Sequence, residues 1–183
     1  MKKTTSDRAP PRENLLKIIT ELATKHDKWR VFSDVVELAA ISISNAVDQP
    51  RAEKREARYM EIVKTYTPDE IRKFPVMLAE LVLELEAEPS DVLGWAFEQL
   101  ELGNKYKGQF FTPMSVCHLS ARMLIGDGED VREKIRQRGF ITVQEPACGG
   151  GAMIIALAEA LRQQDVNYRR HLHVTAIDID QKC

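Results

Sequence analysis

Hydrophobic side chains recur at intervals of three and four residues through the first part of the chain, which predicts amphipathic helices. One stripe consists of Leu15, Ile18, Ile19 and Leu22. A second consists of Val31, Val35, Leu38, Ala39 and Ile43, and a short third lies between Met60 and Val63. Glycine is nearly absent here and no stretch alternates with a period of two, so this part is predicted to be a helical bundle.

Capping residues mark where two of the later helices begin. Thr67-Pro68-Asp69-Glu70 combines a threonine cap, proline at the first helical position and glutamate at the third, where it can close a capping box. The helix that follows is predicted to kink at Pro75 and to stop before Pro89. Ser90 or Asp91 then caps another helix. Its apolar residues are Leu93, Trp95, Phe97 and Leu100.

After Leu102 the pattern changes from helical stripes to short β-branched runs separated by glycines. Pro113 is predicted to open a helix, and residues 131–138 a short charged one. Phe140-Ile-Thr-Val143 and His173-Val-Thr-Ala-Ile177 are predicted strands, with an apolar helix over residues 152–161 between them. Strand, glycine turn, helix and strand form a βαβ unit, whose crossover is expected to be right-handed and its strands parallel.

These elements predict an α+β protein with three parts. Residues 1–13 are expected to be a flexible arm, residues 14–102 a helical domain, and residues 103–183 the start of an α/β domain. The 183 residues, 44% hydrophobic and 30% charged, are typical of a folded globular chain and too apolar for a disordered one.

Charge and cysteine content exclude several functional classes. Basic and acidic residues nearly balance, at 26 against 28, and the net charge of −2 argues against an unaided, non-specific polyanion binder. The three cysteines form no CxxC pair, which argues against a disulfide framework or a zinc ribbon. No apolar leader follows Met1, and no run approaches the roughly eighteen apolar residues of a membrane span. A cytoplasmic protein with no membrane partner is therefore expected.

The candidate chemistry lies at the glycine turn. Three glycines, 149 to 151, separate a strand from a helix, so backbone N–H groups can approach a ligand at the positive end of the helix dipole. Asp178 ends the next strand. In a nucleotide-binding fold, an acidic side chain at this position accepts hydrogen bonds from the ribose hydroxyls. The turn is not GxGxxG and the chain has no GKS or GKT, which disfavours a dinucleotide and a P-loop. A nucleoside cofactor without a pyrophosphate remains. S-adenosylmethionine fits, because the Glu145 carboxylate could face its ammonium group.

Three motifs in order resemble those of adenine-N6 DNA methyltransferases. They are Gly108-Gln-Phe-Phe-Thr-Pro113, Glu145-Pro-Ala-Cys-Gly-Gly-Gly151 and Ala176-Ile-Asp-Ile-Asp180. The likeness is strongest to the modification subunits of type I restriction systems. In addition, Asp91-Val-Leu-Gly-Trp-Ala-Phe-Glu98 resembles the helix that leads into the family's catalytic domain. Together these segments extend the resemblance over most of residues 90–183.

The resemblance implies a Rossmann-like methyltransferase domain that binds S-adenosylmethionine. The first motif would lie beside the methionine part of the cofactor, the second would wrap under it, and the acid of the third would hold the ribose. The implied cofactor-binding residues are Phe111, Thr112, Pro113, Glu145, Pro146, Ala147, Cys148, Gly149, Gly151, Asp178 and Ile179. The implied partners are DNA, together with a specificity subunit or further sequence, and other restriction-modification subunits.

Departures from the family pattern limit what is expected of this chain. Glu145 stands where aspartate is commoner, and Gly151 where serine or threonine is usual. The Asn-Pro-Pro-aromatic motif, which in the family binds the target amino group and stacks on the flipped base, is missing. Two parallel strands do not complete a doubly wound sheet, and both faces of such a pair are expected to need cover. We therefore expect an incomplete domain, the front part of a longer enzyme, with no catalytic residue in this chain.

Several singled-out residues have simpler interpretations. Cys148 lies inside the cofactor turn, which disfavours a covalent role, and Thr112 is first of all a helix N-cap. By pattern alone, Phe111 and its neighbour are as well explained as core aromatics; we expect one ring to pack inward and the other to border the cofactor. His171 and His173 lack a third ligand at suitable spacing, so no metal site is predicted. The basic residues of 132–138 are read as a solvated helix face.

Three functions remain open at this point. The preferred one is S-adenosylmethionine-dependent DNA adenine-N6 methylation of the restriction-modification type, for which this chain supplies the cofactor-binding part and is inactive alone. The alternative is a truncated, non-catalytic partner or regulator of a larger methyltransferase complex. A different nucleotide-binding Rossmann module is a third hypothesis, which the missing GxGxxG pattern disfavours.

Overall fold

The computed structural model describes residues 9–87, 90–103 and 112–179. The chain divides into two compact units: the first comprises Met1–Glu88 and Ala96–Leu102, and the second Pro89–Trp95 and Gly103–Cys183. The first unit is helical, whereas the second combines helices with a two-stranded parallel sheet, so the chain is α+β. In the described ranges, no helix is long and apolar enough to cross a membrane.

Ten α-helices and two strands lie within the described residues. The first unit contains α1 (Pro11–Leu22), α2 (Lys28–Val47), α3 (Ala52–Val63), α4 (Pro68–Ile71) and α5 (Lys73–Ala87). Helix α6 (Val92–Gln99) contributes residues to both units. The second unit continues with α7 (Met114–Ile125), α8 (Glu129–Arg138), β1 (Ile141–Glu145), α9 (Ala152–Gln163), α10 (Tyr168–His171) and β2 (Leu172–Ala176).

The predicted apolar stripes form most of the core of the first unit. Leu15, Ile19 and Leu22 of α1 are buried. In α2 the stripe turns at its end: Ile41 is buried, whereas the predicted Ile43 is 59% exposed. The stripe drifts because 3.6 residues per turn do not match a fixed spacing of three and four. Helix α1 also begins at Pro11, inside the predicted arm, because proline is favoured at the first helical position.

The capping box at Thr67 is present as predicted. The Thr67 Oγ1 accepts a hydrogen bond from the Glu70 backbone N–H, and the Glu70 carboxylate accepts one from the Thr67 N–H at 2.9 Å. The predicted kink at Pro75 is wrong, because the chain breaks earlier, between α4 and α5 at Arg72. Pro75 has no N–H to donate to the Ile71 carbonyl, and its ring would clash with that carbonyl in a continuous helix.

Asp91, rather than Ser90, caps α6. Its Oδ1 accepts a 2.8 Å hydrogen bond from the backbone N–H of Gly94. A Cβ at Gly94 would lie 2.1 Å from the other oxygen of the same carboxylate, so this cap requires the glycine. The cap therefore explains why aspartate stands at position 91 and glycine at position 94.

The second unit contains the predicted βαβ unit. Strands β1 and β2 are parallel, in a register that runs from Ile141 opposite Leu172 to Glu145 opposite Ala176. Strand β1 thus extends two residues further than predicted, up to the first residue of the glycine-turn motif. Helix α9 connects the strands and packs against α7. The buried residues of this core are Cys117, Ala121, Ile125, Val131, Ala152, Ala156, Leu157, Ala160, Leu161 and Val166.

The two faces of the sheet differ. Ile141, Val143 and Leu172 pack against the core of the second unit. The alternate positions Thr142, Gln144, His173 and Thr175 are exposed. The expectation that both faces need cover stays a prediction. Within the described residues the exposed face carries side chains that can hydrogen-bond to water.

Candidate functional site

The loops that follow β1 and β2 lie side by side because the strands are parallel and end opposite each other, at Glu145 and Ala176. Backbone hydrogen bonds continue past the sheet. The Ile177 N–H donates to the Glu145 carbonyl at 2.9 Å, and the Cys148 N–H donates to the Ile177 carbonyl at 2.9 Å. The glycine turn and the segment after β2 therefore form one connected structure.

A side-chain contact completes this connection. The Oδ2 of Asp178 accepts a 2.8 Å hydrogen bond from the backbone N–H of Gly149. Both residues are half-buried. A carboxylate that accepts a backbone N–H makes a stronger hydrogen bond than a neutral acceptor does. The acid predicted to hold a ribose thus lies directly against the glycine turn, although the two residues are twenty-nine positions apart in sequence.

The turn is also bonded internally. The Glu145 Oε1 accepts a hydrogen bond from the Ala147 N–H at 3.2 Å, and the Gly151 N–H donates to the Cys148 carbonyl at 2.8 Å. Gly149 and Gly151 have φ values of +49° and +85°. An L side chain is disfavoured in this left-handed region, which is why the sequence places glycine there. A Cβ at Gly151 would meet nothing within 4 Å, so its requirement for glycine is conformational and the space beside it is open.

Helix α9 begins directly at the end of the turn. Gly151 is its N-cap, and the Gly151 carbonyl accepts hydrogen bonds from the N–H groups of Ile154 and Ile155, each at 3.0 Å. The amino end of a helix carries partial positive charge. The site therefore combines two carboxylates, of Glu145 and Asp178, with the positive end of α9.

Seven of the predicted site residues are brought together at these two loops: Glu145, Pro146, Ala147, Cys148, Gly149, Gly151 and Asp178. Ile179 follows them but is fully exposed among the described residues, at 101%. Phe111, with the rest of residues 104–111, lies outside the described residues, as does Asp180. The expectation that one of the two neighbouring phenylalanine rings packs inward therefore stays a prediction.

The predicted N-cap role of Thr112 is wrong. The N-cap of α7 is Pro113, and no side chain caps this helix end. The Thr112 carbonyl instead accepts a long hydrogen bond, 3.7 Å, from the Cys117 thiol. Thr112 and Pro113 themselves are exposed and immediately precede Met114, where the helix begins.

Electrostatics connects the start of α7 to the glycine turn. Burial raises the pKa of the Cys117 thiol, and the negative charges of Asp91 and Glu145 raise it further. Asp91 was not among the predicted site residues. Its position in the segment 91–98, which resembles the family's lead-in helix, is the feature of the sequence that could have identified it.

The other singled-out side chains have local roles. Cys148 is a half-buried free thiol within the turn. The Nδ1 of His171 lies 2.8 Å from the Gly139 carbonyl, and the His173 ring packs on Phe140 with centroids 4.8 Å apart. Within the described part of the chain, no group of three or more His, Cys, Asp or Glu side chains is arranged to hold a metal ion.

Comparison with known families decides what kind of protein carries this site. A family model described as N-6 DNA Methylase matches residues 88–181, which is half of the chain. The chain belongs to the N-6 DNA methylase family. The match contains helix α6, both strands, the glycine turn and Asp178. All four segments on which the resemblance rested lie within it. No curated protein and no solved structure matches the chain.

Proposed function

We propose that this N-6 DNA methylase binds S-adenosylmethionine at the loops after β1 and β2, as part of a Rossmann-like domain that methylates N6 of adenine in DNA. The observation that carries the proposal is the hydrogen bond between Asp178 and the Gly149 N–H. It holds an acid after the second strand against a glycine turn after the first, which is where nucleoside cofactors bind in open α/β sheets.

The residues at the site fit the charge distribution of this cofactor. S-adenosylmethionine has an ammonium group, a sulfonium centre and ribose hydroxyls, and all of these are favoured by carboxylate acceptors. We assign the ammonium to Glu145 and a ribose hydroxyl to Asp178. The turn residues Pro146, Ala147, Cys148, Gly149 and Gly151 would lie under the cofactor. The open space beside Gly151 allows the ligand to approach the backbone there.

Four further residues belong to the proposal. Thr112 and Pro113 are assigned to the methionine part of the cofactor, together with Phe111. Both Thr112 and Pro113 are exposed immediately before α7. Ile179 is assigned to the adenine ring, because it presents an exposed apolar side chain immediately after Asp178.

The chemistry required of this chain is positioning. Bound S-adenosylmethionine supplies an electrophilic methyl group to the exocyclic amine of adenine. The residues named above would orient the cofactor. Holding a reactant in the correct orientation supplies much of the rate enhancement of a displacement reaction. The Asn-Pro-Pro-aromatic motif is not in this sequence, so we assign no residue here to the target base.

Partners follow from the same proposal. DNA is the substrate, and a specificity subunit of a restriction-modification system would supply sequence recognition. The net charge of −2 supports this division of labour, because a chain without excess positive charge gains little non-specific attraction to a duplex.

Direct binding tests the proposal. Titration calorimetry of the full chain with S-adenosylmethionine should show saturable binding, and Asp178→Ala should weaken it at least about tenfold, a loss of about 1.4 kcal/mol. Asp130→Ala removes an exposed acid of α8 as a matched control and should leave the affinity unchanged. Absent saturable binding, equal affinities for wild type and Asp178→Ala, or tighter binding of NAD would each contradict the proposal.

A second candidate, a non-catalytic partner of a larger methyltransferase complex, is favoured by one observation. The end of α2 exposes apolar side chains, with Ile43 at 59% and Val47 at 82%. Exposed apolar residues of this kind suit a protein interface. Affinity purification of the tagged chain from its own cells tests this function. Recovery of a methyltransferase or restriction subunit, abolished in Ile43→Ser/Val47→Ser, would support it, and recovery of neither would count against it.

A further inference from the structure

Helix α5 of the first unit has its charged and apolar side chains in the reverse of the usual arrangement. Two of its three acids, Glu80 and Glu84, face the interior and are 1% and 9% exposed. Both contact α1. The Glu80 Oε1 accepts a 2.6 Å hydrogen bond from the Asn14 side-chain amide, and the Glu84 Oε1 lies 2.6 Å from the Arg12 guanidinium. The acids of this helix therefore find their partners mostly inside the unit.

Apolar side chains occupy the opposite face of α5. Val76 and Leu83 are 45% and 42% exposed, and Ala79 between them is exposed as well. We call these three residues the α5 stripe, because their spacing of three and four places them in one row along the helix. Val82, 42% exposed, lies beside the row. Contiguous apolar surface of this kind marks an interaction site.

Opposite charges lie at the two ends of the α5 stripe. Arg72 directly precedes the helix, Glu86 lies in its last turn, and both side chains are exposed. The contact between Arg72 and Asp69 is itself highly exposed, so it contributes little and leaves the arginine available. With the stripe, the two charged residues repeat every four and three positions, the spacing of a helix that pairs with another helix. The row is Arg72, Val76, Ala79, Leu83 and Glu86.

We propose that the first unit associates with a second copy of itself through antiparallel α5 helices, with one stripe packed against the other. The antiparallel arrangement places the basic end of each stripe beside the acidic end of its partner, whereas a parallel pair would bring like charges together. A contact between two identical surfaces requires a surface that is complementary to itself, and the charges of this row meet that condition. Ala79, at the middle of the row, is small enough to let the two helices approach closely.

The size of the surface predicts a weak and reversible dimer. A 15-residue helix is about 22 Å long, so the contact is short. Small interfaces lie at the lower end of the range for specific complexes, and the chain should therefore be monomeric in dilute solution. The proposal goes beyond the proposed function and is independent of it, because it uses none of the residues assigned to the cofactor.

Sedimentation equilibrium of the full chain over a range of concentrations tests the proposal. The wild type should show a monomer–dimer equilibrium. Leu83→Ser should weaken dimerisation at least about tenfold, because it replaces an apolar side chain at the contact by a polar one. Leu119→Ser is the matched control: Leu119 is 61% exposed on α7, so the same substitution at a more exposed position should leave the dimerisation constant unchanged.

Charge reversal tests the antiparallel orientation. Arg72→Glu alone and Glu86→Arg alone should each weaken dimerisation about fivefold, because each places like charges together at both ends of the pair. The double variant Arg72→Glu/Glu86→Arg should restore the wild-type constant. Both positions are exposed, so these variants decide the question even if Leu83→Ser does not fold, which circular dichroism and urea unfolding check.

Thiol labelling identifies what covers the α5 stripe. In Leu83→Cys, the introduced thiol should react readily with iodoacetamide in dilute solution and become protected as the dimer forms. Protection of this thiol in a monomeric chain would show that another part of the same chain covers α5, and would overturn the proposal.

Three other outcomes would also overturn it. They are a wild type that is monomeric at every attainable concentration, an equal loss in Leu119→Ser, and no recovery of dimerisation in the double charge variant. Failure here is separable from failure of the proposed function. Asp178→Ala should change cofactor binding and leave dimerisation intact, and Leu83→Ser should do the reverse.

Discussion

The Oδ2 of Asp178 lies 2.8 Å from the backbone nitrogen of Gly149 and accepts its hydrogen. This bond connects the loop after β1 to the loop after β2, beyond the last pair of the sheet register. The turn is therefore held in place by a side chain from another element. A turn restrained in this way has less conformational entropy to lose when a ligand binds.

Replacing Asp178 should loosen the second unit as well as the site. Asp178→Ala removes the acceptor and leaves the half-buried Gly149 N–H without its partner, which should lower the free energy of unfolding by about 1–2 kcal/mol. Asp178→Asn retains an acceptor oxygen and should lose less. Urea unfolding followed by circular dichroism measures both. Identical midpoints for wild type and Asp178→Ala would show that the bond does not contribute.

Gly151→Ala should show that the turn needs its left-handed conformation. At φ +85° an alanine is strained, so the variant should lose about 1 kcal/mol of stability and also bind S-adenosylmethionine more weakly. Gly139→Ala is the matched control. It has a φ of +81° and equally open space, and ends α8 away from the site. It should lose similar stability, yet its cofactor affinity in calorimetry should not change.

The two described cysteines should differ sharply in reactivity. Cys117 has no exposed surface and a raised thiol pKa, so little of it is the reactive thiolate at neutral pH. In a Cys183→Ser background, iodoacetamide should modify Cys148, which is half-buried, at least about tenfold faster, as measured by peptide mass spectrometry.

Cofactor should then protect only one of these thiols. Saturating S-adenosylmethionine should slow alkylation of Cys148, inside the turn, and leave the slow rate of Cys117 as it was. Faster reaction at Cys117 than at Cys148 would contradict the burial described here, and equal protection of both would indicate a general effect on stability.

Acid should weaken the first unit through Glu70. The backbone N–H of Thr67 is the main cause that lowers the pKa of Glu70 to about 2, with contributions from the Thr67 hydroxyl and from His26. Because the folded-state pKa lies below the usual 4.5, the stabilisation is complete above pH 4.5 and is lost as the pH falls towards 2.

Glu70→Gln should therefore flatten the pH dependence of the urea midpoint between pH 5 and pH 2, and should lower the midpoint at pH 7. Glu86→Gln, which removes an exposed carboxylate of α5, is the control for the change in net charge and should follow the wild-type curve. If both variants behave alike, general charge repulsion rather than the Thr67 contact controls acid unfolding.

The parts of the fold that the sequence predicted well are those determined by neighbouring residues. The capping box at Thr67, the cap at Asp91 and the parallel strand pair each depend on a pattern of a few residues that has one favourable solution. The glycine turn was predicted only to let backbone N–H groups approach a ligand. Its left-handed conformation at Gly149 and Gly151 was found in the structure.

The predictions that were wrong have different causes. Ile41 rather than Ile43 is buried because the helical period of 3.6 residues carries the apolar face away from the predicted spacing along α2. Thr112 has a good capping side chain, but Pro113 takes the N-cap position and the carbonyl of Thr112 faces Cys117. Likewise, the hydrogen bond from Gly149 to Asp178 could be located only after the register of the two strands was known.

Helices α7 and α9 pack together, and the residues they bury include Cys117, Ala121, Ala156 and Ala160, all with small side chains. Small residues let two helix axes approach closely, so added methyl groups at this seam would push the axes apart. Because the glycine turn runs directly into α9, such a displacement would reach the proposed cofactor loops. Substitutions between α7 and α9 should therefore be tolerated less well than their distance from the proposed ligand suggests. Substitutions there would alter activity while leaving every cofactor-contacting residue in place.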